Sequence, residues 1–107
     1  MTRRVVLVPA AVRDIEDIYR YIAAQTGTMT AERVLSGLER QIASLADFAE
    51  RGNIPKELTA IGRGDYRELH FKPYRIFYRI AGRAVQVTAV LDGRRDMATL
   101  LRQRLTR

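Results

Sequence analysis

The spacing of apolar residues changes along the chain, and each change marks the end of one element and the start of another. The run from Arg3 to Val8, RRVVLV, is rich in β-branched residues and stops at Pro9, which predicts a short strand. Pro9 also suits the first turn of a helix, where a missing N–H leaves no bond unmade. From there Ile15, Ile18, Tyr19 and Ile22 recur at helical spacing. Asp14, Glu16 and Asp17 sit near the start of that helix, where its dipole favours them, and Gly27 ends it. A second stripe, Ala31, Val34, Leu35, Leu38, Ile42, Leu45 and Phe48, predicts a helix capped by Thr28 or Thr30. It should run unbroken to about Arg51, where Gly52, Asn53 and Pro55 stop it.

After a connector, Lys56 to Gly64, with Leu58 and Ile61 as expected anchors, the pattern shifts to alternation. Asp65–Phe71, Tyr74–Ile80 and Ala84–Leu91 read as a meander of three antiparallel strands, turning at Lys72-Pro73 and Ala81-Gly82-Arg83. A short final helix would use Met97, Leu100, Leu101 and Leu105. The expected fold is one α+β domain over residues 1–107: an N-terminal strand, an antiparallel two-helix hairpin packed on a mainly antiparallel sheet of about four strands, and a short C-terminal helix.

Alternation also assigns faces. Tyr74, Ile76, Tyr78 and Ile80 should face the helices, with Val85, Val87, Ala89 and Leu91 beside them. The other face would then show Arg67, Arg75 and Arg79 around exposed Phe77, Leu69 or Phe71. Such a surface could hold phosphates and stack a base, or grip an acidic partner segment. Alternatively, the arginine stems only cover apolar surface while their heads stay in water. A one-residue bulge would reverse these assignments.

Charge sharpens this picture. Residues 1–62 hold 8 basic and 8 acidic side chains, whereas residues 63–107 hold 11 basic and 4 acidic, so the whole net charge of +7 lies in the last part of the chain. A one-sided field of that sign draws in nucleic acid, an acidic protein or an acidic membrane surface. The chain has no cysteine, which excludes disulfides, thiolate metal sites and cysteine nucleophiles and suits a reducing cytoplasm. No apolar run is long enough to span a bilayer, and the basic start is interrupted by Pro9 and then Arg13 and Asp14, unlike a signal peptide.

Candidate chemistry is sparse. His70, the single histidine, has the right intrinsic basicity for a general base, but its position suits an ordinary residue at the sheet margin. Tyr66, Tyr74 and Tyr78 read as core residues with rim hydroxyls, and the acidic residues of the first helix are explained by the helix start rather than by a metal. The glycines around Arg63 lack the spacing of a phosphate loop. Arg94 and Arg95 follow a strand end and precede a helix, where they can reach across the sheet edge. Arginines stabilise a phosphoryl transition state but do not supply its base.

Three segments, AVRDIEDIYRYIA (Ala11–Ala23), YRELHFKPYRIFYRI (Tyr66–Ile80) and VLDGRRDMATLLRQRL (Val90–Leu105), resemble the ParE/RelE superfamily of bacterial toxins. The resemblance implies a RelE/ParE-like fold, no metal or other cofactor, and a cognate antitoxin that often carries a ribbon–helix–helix DNA-binding domain. It also implies a cytoplasmic hetero-oligomer of toxin and antitoxin. ParE-like members inhibit DNA gyrase without being enzymes, whereas RelE-like members cleave messenger RNA on the ribosome. The nuclease pattern would use Arg75 on the sheet with Arg94 and Arg95 after the last strand. Lys56 is, however, a lone lysine in the connector, no tyrosine follows Tyr78, and His70 lies too early. The resemblance is therefore closer to the ParE branch, with the RelE-like ribonuclease as the alternative and a non-toxic RNA-binding module behind it. It assigns Arg67, Arg75, Arg79, Arg94 and Arg95 to target contact, and Ala11, Ile15, Ile18, Ile22 and Phe77 to the antitoxin.

Overall fold

A computed structural model describes residues 2–105. Strand β1 (Arg4–Leu7) leads into α1 (Pro9–Gln25), with Pro9 in its first turn. Gly27, at a φ of 114° closed to side-chain-bearing residues, turns the chain into α2 (Thr28–Ala43). After a single 3₁₀ turn over Ser44–Ala46 and the short α3 (Lys56–Thr59) come β2 (Arg67–Phe71), β3 (Tyr74–Ala81), β4 (Ala84–Asp92) and α4 (Met97–Leu105). The expected second helix is thus shorter than its apolar stripe. Leu45 is fully buried from the 3₁₀ turn, but Phe48, past the end of the helix, is 64% exposed. In the connector, Leu58 is buried from α3 as expected, whereas Ile61, beyond the end of that turn, is exposed.

The sheet runs β1-β4-β3-β2, with β1 parallel to β4 and the other pairs antiparallel. The chain between the parallel pair runs through the helix hairpin, α3, β2 and β3. The hairpin covers one face, where Leu38, Ile42, Leu45, Leu69, Ile76, Tyr78, Val85, Val87 and Val90 form the main core. The other face has a core of its own. Phe77, Ala89, Leu91 and Tyr66 pack there against Leu58 of α3 and Met97, Leu101 and Leu105 of α4.

Two face assignments differ from the alternation, and one residue explains the first. Phe77 pairs with Ala89 but Tyr78 pairs with Val87, so Thr88 is an extra residue on β4. Beyond it the parity of β4 flips: Val90 takes the helix side, while Ala89 and Leu91 turn to the second core. The second difference is Arg67. It pairs with Tyr78 across β2 and β3 and so shares the helix side with Leu69 and Phe71, not the side of Arg75 and Arg79.

Where β1 ends, the edge of β4 is closed by side chains instead of a strand. Asp14 of α1 accepts the Val90 N–H at 2.9 Å, and Arg104 of α4 donates to Thr88 O at 3.0 Å. Arg104 also grips the Asp14 carboxylate at 2.8 and 3.1 Å, tying α1 to α4 around that edge.

Candidate functional site

Arg75 projects from β3 into a depression of about 350 Å³ lined by Asn53, Ile54, Lys56, Glu68 and His70. Its guanidinium is already engaged. Nε and Nη2 donate to the two oxygens of Glu68 at 2.6 and 3.1 Å, while Nη1 and Nη2 donate to those of Glu57 at 2.9 and 2.8 Å. The side chains are 13% exposed for Arg75, 15% for Glu57 and 2% for Glu68, so this network closes largely away from water. The arginine also lies over the Phe77 ring, 5.1 Å from its centre. Bonding to Glu57 first, and then to Glu68, holds Arg75 charged even more firmly than usual, although burial opposes it. The same bond pulls the Glu57 carboxyl below its ordinary range. Two carboxylates already satisfy this guanidinium, and Lys56 is the remaining cation that lines the depression.

His70 stands half-exposed at the rim, with Nε2 3.2 Å from Asn53 Oδ1 and 3.6 Å from Glu68 Oε1. Asn53 also donates to Glu68 at 2.9 Å. Among the described residues no group of histidine, cysteine, aspartate or glutamate has the arrangement of a metal site.

The other arginines divide by partner. Arg67 donates to Gly52 O at 2.8 Å and Glu50 O at 3.2 Å, fastening the segment after α2 to β2. Arg94 curls back on Asp92 through Nε and Nη2 at 2.9 and 2.6 Å, and its hydrogen bonds pull that carboxyl below its ordinary range. Arg95 is exposed beside it. Arg79 is exposed, with Nε on Gln86 Oε1 at 3.0 Å. The five arginines expected to act together are therefore spread over both faces and one end of the sheet. Strand pairing puts Arg67 on the face opposite Arg75, and long-range carboxylates that no local pattern announces take up Arg75.

The expected antitoxin set divides too. Ala11 and Phe77 are fully buried and Ile22 is 8% exposed, so these three present nothing to a partner. Phe77 is covered because α3 and α4 pack on the face that alternation left open. Ile18 packs against the main core. Ile15 does reach a surface. It lines an apolar groove of about 380 Å³ between β1, α1 and α2, with Val5, Leu7, Val12, Leu35 and Ile42. Val12, three residues before Ile15 and 41% exposed, was detectable as the outer margin of the helix stripe.

Similarity to known proteins agrees with this architecture. The family model described as ParE toxin of type II toxin-antitoxin system, parDE, matches residues 5–97. Toxin ParE3 of Caulobacter vibrioides is 27% identical over 88 residues, covering 82% of this chain and 84% of that protein. A structure titled as the chromosomal ParDE TA system from P. aeruginosa aligns with a TM-score of 0.71 and 17% identity, over 83% of this chain and 94% of its own. At that identity the likeness is one of fold.

Proposed function

Because this chain belongs to the ParE toxin family of type II toxin–antitoxin systems, we propose that it arrests replication by inhibiting DNA gyrase without itself cleaving nucleic acid. The observation that carries this reading over the ribonuclease is the state of Arg75. A nuclease built on this sheet needs that guanidinium for phosphate, yet Glu57 and Glu68 occupy it at 2.6–3.1 Å. Freeing it would leave buried Glu68 with only the Asn53 amide and no cation, a cost of about 3–5 kcal/mol for a broken buried pair.

The antitoxin is the second part of the proposal. An amphipathic segment of the cognate antitoxin, carried on a ribbon–helix–helix DNA-binding domain, lays its apolar side in the groove beside Val12 and Ile15. The toxin is then held in a cytoplasmic hetero-oligomer. No helix among the described residues is long and apolar enough to cross a membrane.

The test is a gyrase assay with the purified toxin, reading both supercoiling and trapped cleaved DNA, with and without the antitoxin encoded beside it. Inhibition near one toxin per gyrase, relieved by antitoxin, is the expected result. A folded, lethal toxin that leaves gyrase untouched at large excess overturns the reading. Messenger RNA cleavage on ribosomes, lost on Arg95→Ala, would then put the nuclease in its place.

A further inference from the structure

The helices leave part of the sheet uncovered. On the face of the second core, α3 and α4 cover the half around Phe77, Ala89 and Leu91. Past the Thr88 bulge nothing packs on it. Strand pairing there sets Val6 beside Gln86 and Gln86 beside Arg79, with Arg4 beside Ala84 one row on. Arg4, Val6, Arg79 and Ala81 are all exposed.

This half-sheet is basic. Arg4 and Arg79 stand two strands apart, about 10 Å across the sheet. Arg83 extends from the β3–β4 turn at its margin, and Arg3 is held there by a bond from Nε to Gly82 O at 3.3 Å. Neither Arg3, Arg4, Arg79 nor Arg83 has a carboxylate within ion-pair distance among the described residues, in contrast to Arg63, Arg75, Arg94 and Arg104. The bond from Arg79 Nε to Gln86 aims its guanidinium and leaves the terminal nitrogens open. Asp65, whose charge reaches Arg79, is itself clamped by Arg63 at 2.9 and 3.0 Å.

Aromatic residues indicate which polyanion fits. A single-strand platform stacks bases on exposed rings. Here Tyr66, Phe77 and Tyr78 are buried, and the strongly exposed rings, Tyr21 and Phe48, belong to α1 and the segment after α2. A flat array of cations without rings suits phosphates of a duplex, read without regard to sequence.

We propose that the uncovered half-sheet, through Arg4 and Arg79 with Arg3 and Arg83 at its margin, binds the phosphate backbone of duplex DNA. The choice of DNA over duplex RNA rests on the gyrase reading, since the target there acts on duplex DNA. The contact is weak and sequence-independent, and it lies on the side of the sheet away from the α1–α2 groove.

The experiment is fluorescence anisotropy of a labelled 30-bp DNA duplex with toxin alone, across a salt series. Three to four phosphate contacts predict a roughly 40- to 150-fold loss of affinity between 50 and 200 mM salt. Arg4→Gln with Arg79→Gln should flatten the log–log slope by about 2, and Arg83→Gln alone by about 1. Arg13→Gln with Arg33→Gln, on the exposed helices, removes the same charge and should leave the slope nearly unchanged. Circular dichroism melts check that each variant folds. The proposal is overturned by no binding at 50 mM salt, by an equal flattening in the helix variant, or by equal or tighter binding of duplex RNA, single-stranded RNA or a poly-glutamate peptide. No gyrase is present, so failure here is read separately from failure of the gyrase assay.

Discussion

Glu68 is acidic and only 2% exposed, and its bonds from Arg75 are what make that burial tolerable. Replacing Arg75 with methionine keeps the stem and removes the charge, so it should destabilise the fold by about 3–5 kcal/mol in urea titrations. Glu57→Gln is milder, because Glu68 keeps its partner. It should also change the response to acid. The Glu57 carboxyl, drawn down by its bond to Arg75, lies below its ordinary 4.5 in the folded protein. Its contribution is therefore complete above that value and is lost as pH falls through the lower folded value. The stability gap between wild type and Glu57→Gln should be constant near neutral pH and shrink below about pH 4.5. Gly52 is constrained in a different way. Its N–H donates to the Tyr78 hydroxyl at 3.0 Å, and a Cβ there would lie 2.6 Å from the Glu68 carbonyl oxygen. Backbone cannot yield as a side-chain tip can, so Gly52→Ala should cost about 1–3 kcal/mol, read by thermal melts.

At the level of elements, α4 is held in two ways. It packs on the second core through Met97, Leu101 and Leu105, and is tied to α1 by the Asp14–Arg104 pair. Arg104→Ala should lower protection of α4 amides in hydrogen exchange while α1 and α2 keep theirs. Asp14→Ala should cost more, about 1–3 kcal/mol, since it also strands the Val90 N–H. The sequence showed these elements because each stripe is local: the Ile15–Ile22 and Leu35–Ile42 spacings, and the Tyr74–Ile80 alternation, survive in the fold. What it did not show depends on partners far away in the chain. Glu57 lies 18 residues from Arg75, Asp14 lies 90 from Arg104, and nothing in the composition of β4 marks Thr88 as supernumerary. The face of Phe77 followed correctly from alternation, but its burial required knowing that the last helix folds back over it.

For the whole molecule, the sheet separates two surfaces of opposite character. One is the apolar groove at Val12 and Ile15, the other the basic half-sheet at Arg4 and Arg79. Val12→Asp should weaken antitoxin binding at least tenfold by calorimetry, from the loss of one buried valine, while gyrase inhibition and the melting temperature stay near wild type. Cells carrying that variant should be poisoned even with antitoxin present. The bulge at Thr88 has a wider reach than its single residue implies. Val85 and Val87 on one side of it, and Ala89, Val90 and Leu91 on the other, serve two interiors with a shared backbone. Drawing Thr88 into the regular ladder would send Ala89 and Leu91 under the helix hairpin and Val90 under α4, whereas deleting it would leave Val87 opposite Tyr78 and Ala89 opposite Phe77, with each side chain in its present interior. Length changes in this strand should therefore be confined to the bulge itself and to the Ala81–Arg83 turn, the two places where a residue gained or lost moves no side chain from one interior to the other.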